Sequence, residues 1–331
     1  MIRRLAGVLL RVTVAAGLTA YVLWRSEPAA IVSALREADW RFVAGAMLLV
    51  LADRALMAYR WLVLLRPVAA DRHLPFRTVL RVFFVSTFVG TFLPASVGGD
   101  AVRAVALSRH DVHLADATAS VLLDRLLGIV GILLVAAAAA FFAPPEVPAW
   151  ILWAAIALTA GTISALAIVV FSDGVGEFAG GALRRVAAGR LRTAGERLIE
   201  AIRRYRWWIQ SLGNVLAGSI GVQLLRVVQA WLLGLALGIA LGPNAYLIYI
   251  PLILLVMLLP ITVNGIGTSQ AAFVWLFGMS GVPAPDAFAL SVLFVALGIV
   301  GNLPGAALYA TGGLRGGGRS LPIEGRELRL R

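Results

Sequence analysis

The sequence predicts an all-α polytopic membrane protein, with about six full spans and two re-entrant helical hairpins in an inverted-topology repeat. The 331 residues are 60% hydrophobic and only 14% charged, and the mean hydropathy is +0.90. Several apolar stretches reach the roughly 20 residues that a bilayer span requires. Two others break at proline and glycine, near residues 94 and 260. Broken segments at corresponding positions of two halves point to a transport site.

Six stretches are long and apolar enough to span a bilayer on their own: 1–24, 40–65, 118–142, 148–171, 209–241 and 286–310. Arginines gather in the loops between them at 66–81 and 172–206. Because cytoplasmic loops are rich in basic residues, we place these loops and both chain termini inside the cell.

The first broken stretch is an apolar run of about 15 residues that ends at Pro94, too short for a span. If the run crossed the membrane, Arg103 and Arg109 would lie outside. If the chain turns back at 94–99, both arginines lie inside with the others. The charge rule therefore predicts a re-entrant hairpin.

The second broken stretch, 246–259, stops at 260–267 and returns as the half helix 268–279. The order span, hairpin, span thus occurs twice, and the charge-derived orientations of the two copies are opposite. We expect the hairpin tips, 94–100 and 260–270, to meet near the middle of the membrane.

Composition excludes several kinds of chemistry. Cysteine is absent and all 29 basic residues are arginine, so thiolate catalysis, a phosphate-loop lysine and a Schiff base are excluded. His110 and His113 have a metal-like spacing, but further ligands of the usual type are not evident. We predict no catalytic residue, metal or cofactor. The net charge of +12 is attributed to loops facing anionic lipid and not to nucleic acid.

The chain is predicted to hold one transmembrane domain, 1–312, and a cytoplasmic Gly/Arg-rich tail, 313–331. Residues 172–208 are a basic cytoplasmic segment whose second part has the apolar spacing of an interfacial amphipathic helix.

The first hairpin carries the strongest candidates for substrate binding. Gly98 and Gly99 precede Asp100, which we place as a helix N-cap with Arg103 one turn further on. In one interpretation Asp100 and Arg103 merely close the re-entrant turn. In the other, the glycine N–H groups, the helix N-terminus and Arg103 bind a phosphate.

Asp124 and Arg125 are adjacent in a span and therefore about 100° apart on the helix, so each needs another partner. Arg125 could face a lipid phosphate while Asp124 pairs with Arg103 or Arg54, or the charges could only hold helices together. Asp53 and Arg54 raise the same alternatives. Asp53 and Asp124 are candidate proton carriers.

Polar residues of the second half complete the candidate set. Gln223, Arg226 and Gln229 recur every three residues. They could form a polar track or a helix–helix interface, and we favour the interface. Substrate contacts are also expected from the second hairpin, at Asn264, Gly265, Gly267, Thr268 and Gln270.

The motifs resemble the lysylphosphatidylglycerol synthase transmembrane-region family, also called flippase-like membrane proteins, over roughly residues 5–312. The resemblance is carried by Leu93-Pro94, Gly98-Gly99-Asp100, Arg103, Ala119-Ser120, Asp124-Arg125, Gly128, Leu259-Pro260, Gly265-Ile266-Gly267-Thr268 and Leu303-Pro304-Gly305. The positions of the second half that align with Asp124 and Arg125 are Val295 and Ala296, which implies one dominant headgroup site at most.

This resemblance implies a bacterial inner-membrane protein related to the flippase half of the multiple peptide resistance factor, which is associated with moving aminoacylated phosphatidylglycerol between leaflets. The soluble aminoacyl-transferase domain is missing from the sequence. We therefore expect a flippase or scramblase for a phosphate-containing lipid, with possible self-association or contact with lipid-biosynthesis enzymes. The alternative is a membrane-embedded transferase or a scaffold in a lipid or glycolipid pathway.

Overall fold

A computed structural model describes residues 28–67, 75–91, 97–109, 112–142, 149–172, 174, 181, 189–258 and 266–310. Within these ranges the regular structure is helical. The helices are α1 (Pro28–Glu37), α2 (Trp40–Leu65), α3 (Phe76–Thr91), α4 (Val97–Ser108), α5 (Leu114–Ala139), α6 (Ala149–Phe171), α7 (Arg190–Arg204), α8 (Ile209–Ala236), α9 (Pro243–Leu258), α10 (Thr268–Met279), α11 (Ala284–Val300) and α12 (Pro304–Ala310).

In the described part of the chain, five helical stretches are long and apolar enough to cross a membrane: Trp40–Leu65, Leu114–Phe142, Trp153–Phe171, Ile209–Ala236 and Ala284–Ala310. They coincide with five of the six predicted spans. The predicted span at 1–24 lies outside the described residues.

The two halves pack in the same order. In α2–α5, and again in α8–α11, each helix packs on the next and the fourth returns to the first. Helices α2 and α8 form the central contact and run antiparallel: Asp39 lies beside Ala236, Asp53 beside Arg226, and Arg60 beside Gly218. An inverted repeat requires this opposite direction of corresponding helices.

Small residues let these helices approach closely, as is usual in membranes. A Cβ atom on Gly90 of α3 would lie 2.9 Å from the Cα atom of Gly99 of α4. On Gly131 of α5 it would lie 2.6 Å from the Cβ atom of Ser219 of α8. Backbone packing of this kind holds α3 against α4 and α5 against α8.

One local prediction needs correction, and one span has an internal break. The N-cap assignment of Asp100 was wrong, because α4 begins at Val97 and Asp100 lies in its first turn. The final span, Ala284–Ala310, consists of two helices: α11 ends at Val300 and α12 starts at Pro304, with a turn between them. Proline cannot donate a backbone hydrogen bond, which explains the break, and Asn302 lies within it.

Helix α7 is amphipathic, as the apolar spacing predicts, but part of its apolar face packs on the protein. Ala201 and, just beyond the helix, Tyr205 are fully buried. The Tyr205 hydroxyl donates a 2.6 Å hydrogen bond to the carbonyl oxygen of Leu64 in α2. Burial, and secondarily the charge of Asp116, raises the pKa of the Tyr205 phenol. Trp207 follows with 76% of its surface exposed.

Candidate functional site

Asp124 of α5 lies at the centre of a buried ionic group. Its Oδ1 atom accepts a 2.9 Å hydrogen bond from Arg60 Nη2, which also donates to the Asp124 backbone carbonyl at 2.9 Å. Its Oδ2 atom lies 3.4 Å from Arg103 Nη1. All three residues are at most 7% exposed. One carboxylate thus joins three helices, α2, α4 and α5.

A glycine leaves space for the Arg60 side chain, and aromatic rings pack against the Arg103 guanidinium. The Arg60 stem crosses Gly218, where a Cβ atom would lie 2.7 Å from Arg60 Cγ. The Arg103 guanidinium lies over the rings of Phe83, at 4.6 Å from the centroid, and Trp61, at 5.2 Å. Trp61 Nε1 is fixed by donating to Ser120 Oγ at 3.2 Å. Ring faces attract a desolvated cation, so they help to keep Arg103 charged inside the protein.

Arg125 and Asp100 form the more open edge of the same group. Arg125 Nε lies 2.6 Å from Asp100 Oδ2, and the two side chains are 34% and 18% exposed. The prediction that Asp124 and Arg125 have different partners is therefore confirmed. The suggested Asp100–Arg103 turn pair is replaced, because Arg103 pairs with Asp124 and Asp100 with Arg125.

A second ionic group surrounds Asp53, which is 2% exposed. Its carboxylate pairs with the neighbouring Arg54 and with Arg226 Nε of α8 at 3.2 Å. Arg54 Nε donates to Asn302 Oδ1 at 2.9 Å, and Asn302 Nδ2 donates to Thr91 Oγ1 at 3.1 Å. This group connects the end of α3 with both α8 and the α11–α12 break.

Together the two groups form what we call the inner charge cluster: Asp53, Arg54, Arg60, Asp100, Arg103, Asp124, Arg125 and Arg226. Asp53 and Arg60 are seven residues apart on α2 and so share one face. Five arginines face three aspartates, a formal excess of two positive charges. The Nε atoms of Arg60 and Arg103 are buried and have no hydrogen-bond partner among the described residues. The cluster therefore has positive charge and donor capacity that the described side chains do not use.

Residues at the start of α10 have a local role. Gln270 Oε1 accepts from the backbone N–H of Gly267 at 2.6 Å and from Ser269 Oγ at 2.9 Å. Gly267 adopts φ 89°, a conformation that favours glycine. Gln270 thus caps the N-terminus of α10, and Thr268 is buried beside it. Pro94, Asn264 and Gly265 lie outside the described residues.

Gly99 of α4 and the two glutamines of α8 lie in packed surroundings. Gly98 and Gly99 are in the first turn of α4, where a Cβ atom on Gly99 would be 3.0 Å from the Ser86 carbonyl oxygen. Gly99 therefore has a packing role. Gln223 and Gln229 are buried, as in the favoured interface interpretation of α8.

Sequence reasoning missed Arg60, Trp61 and Asn302. A signal existed for Arg60, since an arginine inside a span needs a partner and this one follows Asp53 by two turns. The position of Asn302 before Pro304, in an apolar run, also marked a possible break. No feature of the sequence indicated the aromatic faces around Arg103.

The helices and their buried charges define a multi-pass helical membrane protein with a buried ionic cluster that helices α2, α4 and α5 supply together with Arg226 of α8. The family described as "Lysylphosphatidylglycerol synthase TM region" matches residues 8–305, and the chain belongs to it. No match to the chain is found among curated proteins.

Proposed function

We propose that the protein moves a phosphate-containing lipid between the leaflets of the bacterial inner membrane, as a flippase or scramblase. The observation that carries this proposal is the excess of two positive charges in the inner charge cluster. Intramembrane charges are costly and usually mark the path of a substrate or ion. A phosphate is the group that this excess would neutralise.

The exposure of the arginines suggests an order of contact. Arg125, about one third exposed, contacts the phosphate first, and the phosphate then replaces Asp100 as the partner of Arg125. Arg103 and Arg60 are buried further in, each with an unused Nε–H donor. Guanidinium groups bind phosphate through several donors at once, so these three arginines form a graded path while the acyl chains stay in lipid.

Helix lengths support re-entrant hairpins on both sides of this path. Helices α3 and α9 have 16 residues each, and α4 and α10 have 12 each. At 1.5 Å per residue they measure about 24 Å and about 18 Å, less than the roughly 30 Å hydrocarbon core. Chain ends at membrane depth are tolerated only inside protein or beside a wet cavity, so the tips would line the path.

The finer topology belongs to the same proposal. Both termini and residues 172–208 face the cytoplasm, 1–312 form one transmembrane domain, and 313–331 are its tail. Pro94, Asn264, Gly265, Gly267, Thr268 and Gln270 complete the headgroup path from the two tips. Asp53 and Asp124 would carry the proton if transport is proton-coupled.

The test is leaflet exchange of fluorescent lipids in proteoliposomes without nucleotide. We expect the wild type to accelerate exchange and Arg125→Gln to reduce the accelerated rate about tenfold, the effect of one lost charge-assisted hydrogen bond. Arg192→Gln is the matched control, because Arg192 is an exposed arginine of α7 that pairs with Glu196. Circular dichroism and gel filtration check that each variant is folded.

Failure of the wild type to accelerate exchange of anionic, zwitterionic and cationic lipids would refute transport. A turnover of a soluble donor that is lost in Asp100→Asn would then indicate the transferase alternative. Tolerance of Asp100, Arg103 and Arg125 to substitution would indicate the scaffold.

A further inference from the structure

A second polar site lies away from the inner charge cluster, in a groove of about 680 Å³ between the first turn of α5 and one face of α7. It contains none of the cluster residues. The groove combines charges of both signs with apolar walls, and the lining residues that matter are Leu114, Asp116, Arg197, Leu198, Glu200 and Arg204.

The groove lies at the level of lipid headgroups. Helix α5 has 26 residues and is about 39 Å long, whereas the hydrocarbon core is roughly 30 Å thick. The helix therefore extends beyond the core, and we assign the excess to its first turn, which carries Asp116, because the other end is a run of alanines. Trp207 and Trp208, which are exposed and lie just before α8, mark a membrane interface beside the end of α7. A ligand in the groove would thus reach it from one leaflet of the bilayer.

The charges in the groove cancel, because two arginines face two carboxylates. Asp116 is only 6% exposed, and its carboxylate lies 3.5 Å from the half-exposed Arg204. Glu200 lies 3.6 Å from the same arginine. A balanced site disfavours a purely anionic headgroup, whose charge would have no counterpart for the carboxylates. A zwitterion satisfies both signs, with its phosphate at the arginines and its amine at Asp116 and Glu200.

We propose that this groove binds the headgroup of a phospholipid that carries both a phosphate and a primary amine, of the phosphatidylethanolamine type. Arg197 and Arg204 contact the phosphate, and Asp116 accepts hydrogen bonds from the ammonium group. Leu114 and Leu198 cover the glycerol and the start of the acyl chains. Binding at this groove does not depend on lipid movement through the inner charge cluster.

The test measures the binding of defined lipids to the purified, delipidated full-length protein by native mass spectrometry. We expect phosphatidylethanolamine to bind about tenfold tighter than phosphatidylcholine, whose trimethylated amine has no N–H donor, and than phosphatidylglycerol, which has no amine. Asp116→Asn should abolish this preference. Because Asp116 is buried, the exposed Arg197→Gln is the second variant, and it should weaken binding several-fold.

The control Glu196→Gln removes a carboxylate of α7 that does not line the groove, and it should leave binding unchanged. Arg125→Gln should leave the preference for phosphatidylethanolamine unchanged, whatever its effect on total lipid binding, which separates this site from the proposed transport path. Equal binding of the three lipids, or equal losses in Glu196→Gln and Asp116→Asn, would overturn the proposal. Equally tight binding of water-soluble glycerophosphoethanolamine would overturn the assignment to a lipid.

Discussion

The central prediction concerns Asp124, whose carboxylate compensates two buried guanidinium groups. In Asp124→Asn the side chain keeps its size but loses its charge, so Arg60 and Arg103 remain buried without a counterion. Removing one partner from a buried ion pair costs about 3–5 kcal/mol of stability, because an uncompensated charge stays inside the protein. The variant should lose a free energy of unfolding in that range.

The matched control is Asp100→Asn, the same substitution in the same cluster. Its partner Arg125 is 34% exposed and can be solvated when the carboxylate is lost. Pairs of this exposure contribute about 1 kcal/mol or less. Both variants can be unfolded reversibly in mixed micelles of increasing SDS content, with tryptophan fluorescence as the signal. The two substitutions are chemically the same and differ in the burial of the carboxylate and in the number of arginines it pairs with, two for Asp124 and one for Asp100.

Equal destabilisation by the two variants would refute the argument that burial sets the energetic role of these carboxylates. A double-mutant cycle adds a second criterion. If Arg60 and Asp124 are coupled, Arg60→Gln combined with Asp124→Asn must cost less than the sum of the single substitutions, by about 0.5–3 kcal/mol. An additive result would contradict the 2.9 Å contact between them.

Two further predictions concern packing. Gly90→Ala should destabilise the protein by about 1–3 kcal/mol, because the new Cβ atom would be 2.9 Å from the Cα atom of Gly99 and two helix backbones must separate; the same SDS titration measures it. Tyr205→Phe should cost about 1 kcal/mol through the lost hydrogen bond to the Leu64 carbonyl, visible as a lower midpoint of thermal unfolding in detergent.

Each packing prediction has a control within the chain. A Cβ atom on Gly161 of α6 meets no atom of the described residues within 4 Å, so Gly161→Ala should be neutral or slightly stabilising. If it destabilised as much as Gly90→Ala, close packing of α3 on α4 would not explain the loss. Tyr309 is 54% exposed, and Tyr309→Phe should leave the midpoint unchanged. If Tyr205→Phe also left the midpoint unchanged, the result would contradict the role of the buried Tyr205 hydroxyl.

The sequence alone predicted the spans well, because a span is a local property. About 20 consecutive apolar residues produce a transmembrane helix wherever they stand, and five predicted spans coincide with helices of sufficient length. The short apolar runs near Pro94 and Pro260 similarly predicted helices too short to cross. The sequence also identified seven of the eight residues of the inner charge cluster as candidates, all except Arg60, since an ionisable residue in an apolar run is conspicuous.

The Asp124–Arg103 pair was one of two pairings that the sequence suggested for Asp124, but the other partners were decided only by the tertiary structure. Arg60 and Asp124 are 64 positions apart, and Arg54 and Asn302 are 248 apart. Neither pair has a periodicity or spacing that could reveal it. The sequence determined which charges enter the membrane, because hydropathy is read along the chain. The tertiary structure determined which of them neutralise each other, because that depends on glycine-permitted crossings such as Arg60 over Gly218, where distant segments meet.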